Sequence, residues 1–117
     1  MKKATVQEEN AYAPPEHFGC VCMKVQGTEE TGLKKFWQGV SIFESDGGAN
    51  WQYGKGSFGA EFEKTYFVLE GQISVKNEAG EVFVLNEYDS VSMLPNEKRK
   101  MWNSGGTVAK VVVTISY

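Results

Sequence analysis

The chain has 117 residues, the length of one domain and enough to bury a hydrophobic core. Hydrophobic residues make up 41% of it and charged residues 23%, as in ordinary globular proteins, and the net charge of −3 argues against nucleic-acid binding. No apolar run approaches the ~20 residues that span a bilayer, and no apolar segment follows the two lysines at the start. The sequence therefore predicts a cytoplasmic protein without a membrane partner.

In chain order, an irregular N-terminal arm at residues 1–18 precedes a β-rich region at residues 19–117. Apolar and polar residues alternate along this region, which predicts strands, and glycines cluster between them, which predicts turns. The predicted strands are CVCMKVQ (20–26), FWQGVSIFE (36–44), TYFVLEGQISVK (65–76), EVFVLN (81–86), DSVSMLP (89–95) and AKVVVTISY (109–117). The predicted turns are SDGGAN (45–50), KNEAGE (76–81), NSGGT (103–107) and the charged NEKRK (96–100). This pattern is typical of an antiparallel sandwich or barrel.

Two cysteines, Cys20 and Cys22, point to the same side of one predicted strand. A disulfide between them would be strained, so we interpret them as half-buried thiols in a reducing compartment. A metal site of these thiols with His17, the single histidine, is the minor alternative. We interpret His17 as a structural or exposed residue rather than an acid–base group.

Residues 51–103 resemble the cupin superfamily, whose members are small jelly-roll barrels, also called double-stranded β-helices. The stretch EKTYFVLEG (63–71) matches the end of the first cupin motif, and YDSVSMLPNEKRKMWN (88–103) matches the second. The resemblance implies an all-β fold with one cupin barrel at residues 19–117.

A narrower resemblance is to small single-domain cupins that include ethanolamine-utilisation and ureidoglycine-aminohydrolase-like proteins. Their pattern of Trp, Gly and Phe before the first motif is reproduced by Trp51, Gly56 and Phe58. Their Trp seven residues after a proline is reproduced by Pro95 and Trp102. This branch is functionally mixed, so the resemblance is more specific for fold than for chemistry.

Many cupins hold a divalent metal with three histidines and a glutamate, and this chain departs from that set. The paired-histidine positions carry residues that do not normally bind metals, in either of two alignments: Ser57 and Gly59, or Phe58 and Ala60. The glutamate position falls on Lys64, and the last histidine position falls on Arg99 or Lys100. Like charges about 4 Å apart repel by several kcal/mol, so we predict no metal and no other cofactor. Placing Glu63 at the carboxylate position still supplies no imidazole.

The resemblance instead implies a barrel interior with positive charge and aromatic walls. Lys64, Tyr66 and Val68 alternate onto the face that the family turns inward, and Arg99 lies on the neighbouring motif strand. An arginine offers a planar fork for a carboxylate, and a desolvated lysine has a lowered pKa and acts as a base or nucleophile. The other predicted ligand-binding residues are Trp51, Tyr53, Trp102 and Glu61.

Three functions remain open from the sequence. The first is metal-free binding of a small anionic or aromatic ligand. The second is a metal-independent lyase, isomerase or hydrolase that uses Lys64, Tyr66 and Glu63 as acid–base groups. The third is a non-catalytic structural or accessory protein, with the barrel plugged by ion pairs from Glu61 or Glu63 to Lys64 or Arg99. The resemblance also implies a homodimer that pairs through strand edges.

Overall fold

The computed structural model describes residues 1–7 and 11–117. Within them the chain forms nine strands and one short helix, which confirms the predicted all-β fold. The elements are β1 (Ala11–Tyr12), β2 (His17–Gln26), α1 (Thr28–Thr31), β3 (Phe36–Gln52), β4 (Lys64–Glu70), β5 (Ile73–Asn77), β6 (Val82–Leu85), β7 (Ser90–Met93), β8 (Arg99–Asn103) and β9 (Ala109–Ser116).

The strands form one antiparallel sheet that curls into a nearly closed barrel. Their order is β6-β5-β8-β3-β9-β4-β7, with β2 paired to β3 and β1 paired to β2. The long strand β3 pairs with β9 through its first half and with β8 through its second half. The two halves of the barrel are therefore joined by one continuous strand.

The core fills the barrel with apolar residues from several strands. Phe43 of β3 is 1% exposed, and Val68 of β4 and Val111 of β9 are fully buried. The same alternation that predicts the strands sets this pattern, because every second side chain of a strand points to the same face. The cluster borders the cavity described below, since Phe43, Tyr66 and Met101 belong to both.

The predicted turn SDGGAN (45–50) is wrong, because these residues continue β3. Their glycines permit close approach of backbones and do not mark a turn. A Cβ on Gly47 would lie 2.1 Å from the carbonyl oxygen of Gly19, and one on Gly48 would lie 2.6 Å from that of Met101. The glycines thus allow β3 to pass between β2 and β8.

Two further strand predictions differ from the structure. TYFVLEGQISVK is divided into β4 and β5 at Gly71, which has a φ of 78° and leaves no room for a Cβ beside the carbonyl oxygen of Val108. The stretch NEKRK was predicted as a turn, yet Arg99 begins β8 and is buried. The position of Arg99 thus agrees with the motif strand that the cupin resemblance implies and not with the turn.

The predicted N-terminal arm at residues 1–18 includes residues 8–10, which lie outside the described residues. Residues 11–18 of this arm are not wholly irregular, because β1 lies at Ala11–Tyr12 and β2 already begins at His17. Within residues 1–7 and 11–117, no helix is long and apolar enough to cross a membrane.

Candidate functional site

A cavity of about 560 Å³ opens at one end of the barrel. Its walls come from the segment between β1 and β2, from β3, from the loop between β3 and β4, and from β4, β8 and β9. The first residues of β4 and β8, Lys64 and Arg99, both line it. The cavity therefore occupies the region where the sequence predicts the ligand site.

Two buried cations define the site. Lys64 and Arg99 are each 2% exposed. In β4 the buried positions are Lys64, Tyr66 and Val68, so the predicted inward face of this strand is the observed one. In β8 the register places Arg99 opposite Gln52 of β3.

The guanidinium of Arg99 is held by neutral partners. Its Nε donates a hydrogen bond to the hydroxyl oxygen of Tyr66 at 2.8 Å. Its Nη1 donates to the carbonyl oxygen of Asn50 at 3.0 Å, and its Nη2 donates to Oε1 of Gln52 at 2.9 Å. These bonds fix the orientation of the group and leave its positive charge uncompensated.

Lys64 and Arg99 contact the same aromatic ring, that of Tyr53. Its Nζ donates a hydrogen bond to the carbonyl oxygen of Phe62 at 2.7 Å and lies 4.2 Å from the ring centroid of Tyr53. The Cζ of Arg99 lies 4.9 Å from the same centroid. Burial, and then the charge of Arg99, lower the pKa of Lys64, while the charge of Glu61 opposes them.

Tyr53 has a strained backbone at the centre of this arrangement. Its φ is 69°, in the left-handed region that bulky residues rarely adopt. Burial raises the pKa of its hydroxyl to about 12. Strained residues held by their surroundings are concentrated at functional sites, and the strain at Tyr53 places its ring against both cations.

The predicted ion pairs that would plug the barrel are wrong. Among residues 1–7 and 11–117, the ion pair within 4.0 Å is Lys110–Glu70 at 3.0 Å, on the surface. Glu61 and Glu63 are exposed and do not line the cavity. Glu63 precedes the inward-facing Lys64, and adjacent positions point to opposite faces. Neither the predicted acid–base role of Glu63 nor the ligand contact of Glu61 is supported by their positions.

Of the predicted aromatic residues, Trp51, Tyr53 and Tyr66 line the cavity, whereas Trp102 does not. Trp102 is three residues after Arg99 in β8, an odd spacing that turns it to the other face of the sheet. It lies opposite Ser74 of β5. Trp102 therefore lies outside the cavity lining, and its position does not support the predicted contact with a ligand.

Sequence reasoning missed a hydrogen-bonded chain that joins the N-terminal arm to Arg99. Gln52 accepts from Arg99 and donates through Nε2 to the carbonyl oxygen of Pro15 at 2.9 Å. Nδ1 of His17 is 2.8 Å from the same oxygen. His17 is half-buried and lines the cavity, and burial lowers its pKa. The register of β3 shifts between Ala49 and Gln52, so the simple alternation of the strand does not predict that Gln52 lies opposite Arg99.

A third cation on the cavity wall was also missed. Nζ of Lys24 lies 5.4 Å from the ring centroid of Tyr12 and 5.2 Å from that of Trp37. The two rings meet edge to face at 6.0 Å. Lys24 is two residues after Cys22, as Cys22 is after Cys20. The alternation of β2 could therefore have predicted that Lys24 points to the same side as the cysteines.

The two thiols lie together on β2, as their spacing predicts. The Sγ atoms of Cys20 and Cys22 are 3.8 Å apart, and both cysteines are free. The hydrogen bond from Cys20 lowers the pKa of the Cys22 thiol to about 7 against the effect of its burial. Cys22 is fully enclosed and does not line the cavity.

The metal that many cupins hold does not fit the groups present here. Lys64 and Arg99, at two of the family's ligand positions, are cationic and buried in the barrel. Ser57 and Gly59 lie in the loop before β4. In the described part of the chain, no cluster of three or more His, Cys, Asp or Glu residues is placed to bind an ion.

The uncompensated charge of Lys64 leads to a prediction about stability. Lys64→Met should raise the free energy of unfolding at pH 7 by about 1 kcal/mol or more, because it removes a desolvated charge. The gain should shrink as pH rises toward 10.5, since the folded amine, with its lowered pKa, loses its proton first. Urea unfolding measures both effects. The exposed-site control Lys34→Met should change stability by less than about 0.5 kcal/mol, and a less stable Lys64→Met protein would contradict the prediction.

Comparisons with known proteins agree with this architecture. The family model described as EutQ-like cupin domain matches residues 51–111. The chain is 28% identical over 117 residues to beta-D-galactosidase Rv1717 of Mycobacterium tuberculosis (strain ATCC 25618 / H37Rv), covering 100% of this chain and 95% of that protein.

Solved structures show the same fold at low sequence identity. The polyketide cyclase RemF from Streptomyces resistomycificus superposes with a TM-score of 0.77 at 16% identity, over 99% of this chain and 80% of that one. The putative glyoxylate induced protein from Pseudomonas aeruginosa gives 0.79 at 16% identity, over 99% of this chain and 44% of that one. The predicted cupin resemblance is confirmed, and the chain belongs to the family of EutQ-like cupin domains.

Proposed function

We propose that the barrel binds a small organic anion, a carboxylate attached to an apolar or aromatic group, without the help of a metal. One observation carries the proposal. Two buried cations, Lys64 and Arg99, face a cavity of about 560 Å³, and no described carboxylate lies within 4.0 Å of either.

The energetics of burial favour an anionic ligand. A buried charge is costly unless an opposite charge accompanies it, and a ligand carboxylate supplies that charge. The guanidinium of Arg99 has N–H donors beyond its three bonds, and the ammonium of Lys64 has donors beyond its bond to Phe62. Arginine binds carboxylates through two parallel hydrogen bonds, which also fixes their orientation.

The remaining wall suits the apolar part of such a ligand. The cavity volume falls within the roughly 300–1,000 Å³ that is usual for small-molecule sites. Trp51 is 37% exposed and Phe58 is 93% exposed, and both line the cavity, so their rings are accessible. An apolar group would bury these rings together with its own surface.

The name of the mycobacterial relative, a beta-D-galactosidase, suggests a different chemistry, the hydrolysis of a glycosidic bond. Glycosidases commonly use two carboxyl groups on either side of the scissile bond. The described residues of the cavity lining include one carboxylate, Glu16, which is exposed. We therefore base the proposal on the buried cations. A metal-independent enzyme that uses Lys64 and Tyr66 is the second candidate, and cytoplasmic location stays a prediction of the sequence.

The proposal predicts a charge-dependent response to ligands. Benzoate should raise the melting temperature, whereas benzamide, its neutral analogue, should have little effect. At a hundred times the dissociation constant, a ligand stabilises by roughly 2.7 kcal/mol, which corresponds to several degrees in Tm. Equal responses to the two compounds, or no response to any carboxylate in a panel, would contradict an anion site.

The affinity for benzoate should also depend on pH, with a known sign. At pH values where benzoate is fully ionised, the affinity should fall as pH rises above the lowered pKa of Lys64, below 10.5, because the ammonium loses its charge. Arg99 keeps its charge, and burial holds the pKa of Tyr53 at about 12, so neither accounts for the fall. Isothermal titration at a series of pH values measures it, and Lys64→Met should abolish it. A persistent fall in this variant would remove Lys64 from the site.

Metal independence is a part of the proposal that elemental analysis tests. Purified protein should contain far less than one transition-metal ion per chain, because the positions equivalent to cupin ligands are cationic or lack donors. Dialysis against EDTA should leave the response to benzoate unchanged. A stoichiometric ion whose removal abolishes the response would overturn metal-free binding.

We also propose that the chain forms a homodimer through β6. In the described residues β6 pairs with β5 and leaves its other edge open, and Val82, Phe83 and Val84 are 48%, 41% and 51% exposed. An open apolar edge is a usual site of strand pairing between copies. Light scattering should give the mass of a dimer, and Val84→Lys should shift it toward a monomer. Thr107→Lys, in an exposed loop, is the control, and an unchanged dimer in Val84→Lys would exclude this edge.

A further inference from the structure

We propose that Lys64 forms an imine with small 2-oxo acids whose carboxylate is bound by Arg99. The inference rests on the anion site proposed above and adds a covalent step and a substrate class. A 2-oxo acid carries a carbonyl carbon next to its carboxylate, so it presents one group to each cationic side chain.

The position of Lys64 suits a nucleophile. Its Nζ borders the cavity and is oriented by the carbonyl oxygen of Phe62 at 2.7 Å. A neutral amine keeps one N–H on this carbonyl and has its lone pair free for attack. Burial and the charge of Arg99 lower the pKa of Lys64, which increases the neutral fraction.

The position of Arg99 suits an anchor for the substrate carboxylate. Three hydrogen bonds to Tyr66, Asn50 and Gln52 hold the guanidinium in place. The ring of Tyr53 contacts both cationic groups, with its centroid 4.9 Å from Cζ of Arg99 and 4.2 Å from Nζ of Lys64. Nζ of Lys64 and Cζ of Arg99 therefore lie at most about 9 Å apart, a gap that a 2-oxo acid can span with its carboxylate on Arg99 and its carbonyl beside Lys64.

Tyr66 supplies a proton donor on the same face. It is two residues from Lys64 in β4 and lines the cavity. Its hydroxyl oxygen accepts a hydrogen bond from Nε of Arg99 at 2.8 Å, and among the described residues its own proton has no acceptor. This proton is available to a carbonyl oxygen at the site.

The chemistry balances without a further reactant. The lone pair of Nζ attacks the carbonyl carbon, the C–O π bond breaks, and the oxygen takes a proton from Tyr66, which regains one from solvent. The added nitrogen loses a proton to water and gives a neutral carbinolamine. A second proton converts the hydroxyl group to water, which leaves as the nitrogen lone pair forms the C=N bond. The net reaction joins one amine, one carbonyl and one proton and releases one water as the protonated imine forms.

Borohydride trapping tests the proposal, because hydride reduces an imine to a stable secondary amine. Wild-type protein treated with pyruvate and sodium borohydride should gain the mass of one reduced adduct, and peptide mapping should place it on Lys64. Acetone, which has the ketone carbonyl and no carboxylate, should label Lys64 much less. Tyr66→Phe should slow the labelling, because it removes the proposed proton donor.

Three variants provide matched controls. Lys64→Arg keeps the charge and should lose the adduct, and Lys64→Met, which also lacks the amine, covers the case in which the arginine does not fold. Lys24→Met removes the other lysine of the cavity lining and should keep the adduct. An adduct that persists in both Lys64 variants, or that maps to Lys24, would overturn the inference.

The outcome separates this inference from the function on which it rests. If benzoate raises Tm but pyruvate gives no adduct in wild-type protein, the imine is excluded and the anion site stands. If neither benzoate nor pyruvate has an effect, both proposals fail.

Discussion

The site depends on two positive side chains that the barrel encloses without a matching negative one among its described residues. Lys64 and Arg99 begin β4 and β8, which β3 and β9 separate in the sheet, and both contact the ring of Tyr53. Neutral groups hold Arg99 in place, so its orientation is fixed while its charge remains available. The proposal of an anion site rests on this charge.

The architecture explains how these cations are kept together. Strand β3 runs from β9 to β8, and its last residues bring Gln52 opposite Arg99. Gly47 and Gly48 let this strand pass between its neighbours without side chains in the way. The glycines that look like a turn in the sequence are thus needed to build the wall of the cavity.

Much of this could be predicted from the sequence, and the failures have definite causes. The period of two placed Lys64 and Tyr66 on one face, and the cupin resemblance implied that this face and Arg99 point inward, as they do. The same period, applied within β8, would have excluded Trp102. The role of Gln52 could not be predicted, because a register shift precedes it in β3. The contact of the N-terminal arm with Gln52 could not be predicted either, because it joins distant parts of the chain.

The carbonyl oxygen of Pro15 has a consequence for how the mouth of the barrel varies among relatives. This oxygen accepts a hydrogen bond from the side-chain amide of Gln52 and lies within hydrogen-bonding distance of the imidazole of His17. A main-chain acceptor persists whatever side chain occupies its position, so replacing the proline leaves the oxygen available. A substitution that changes these two contacts therefore has to replace Gln52 or His17. Of the two, Gln52 is the one that also accepts a hydrogen bond from the guanidinium of Arg99. The main chain at the cavity entrance and the guanidinium of Arg99 are in this way tied to a single glutamine.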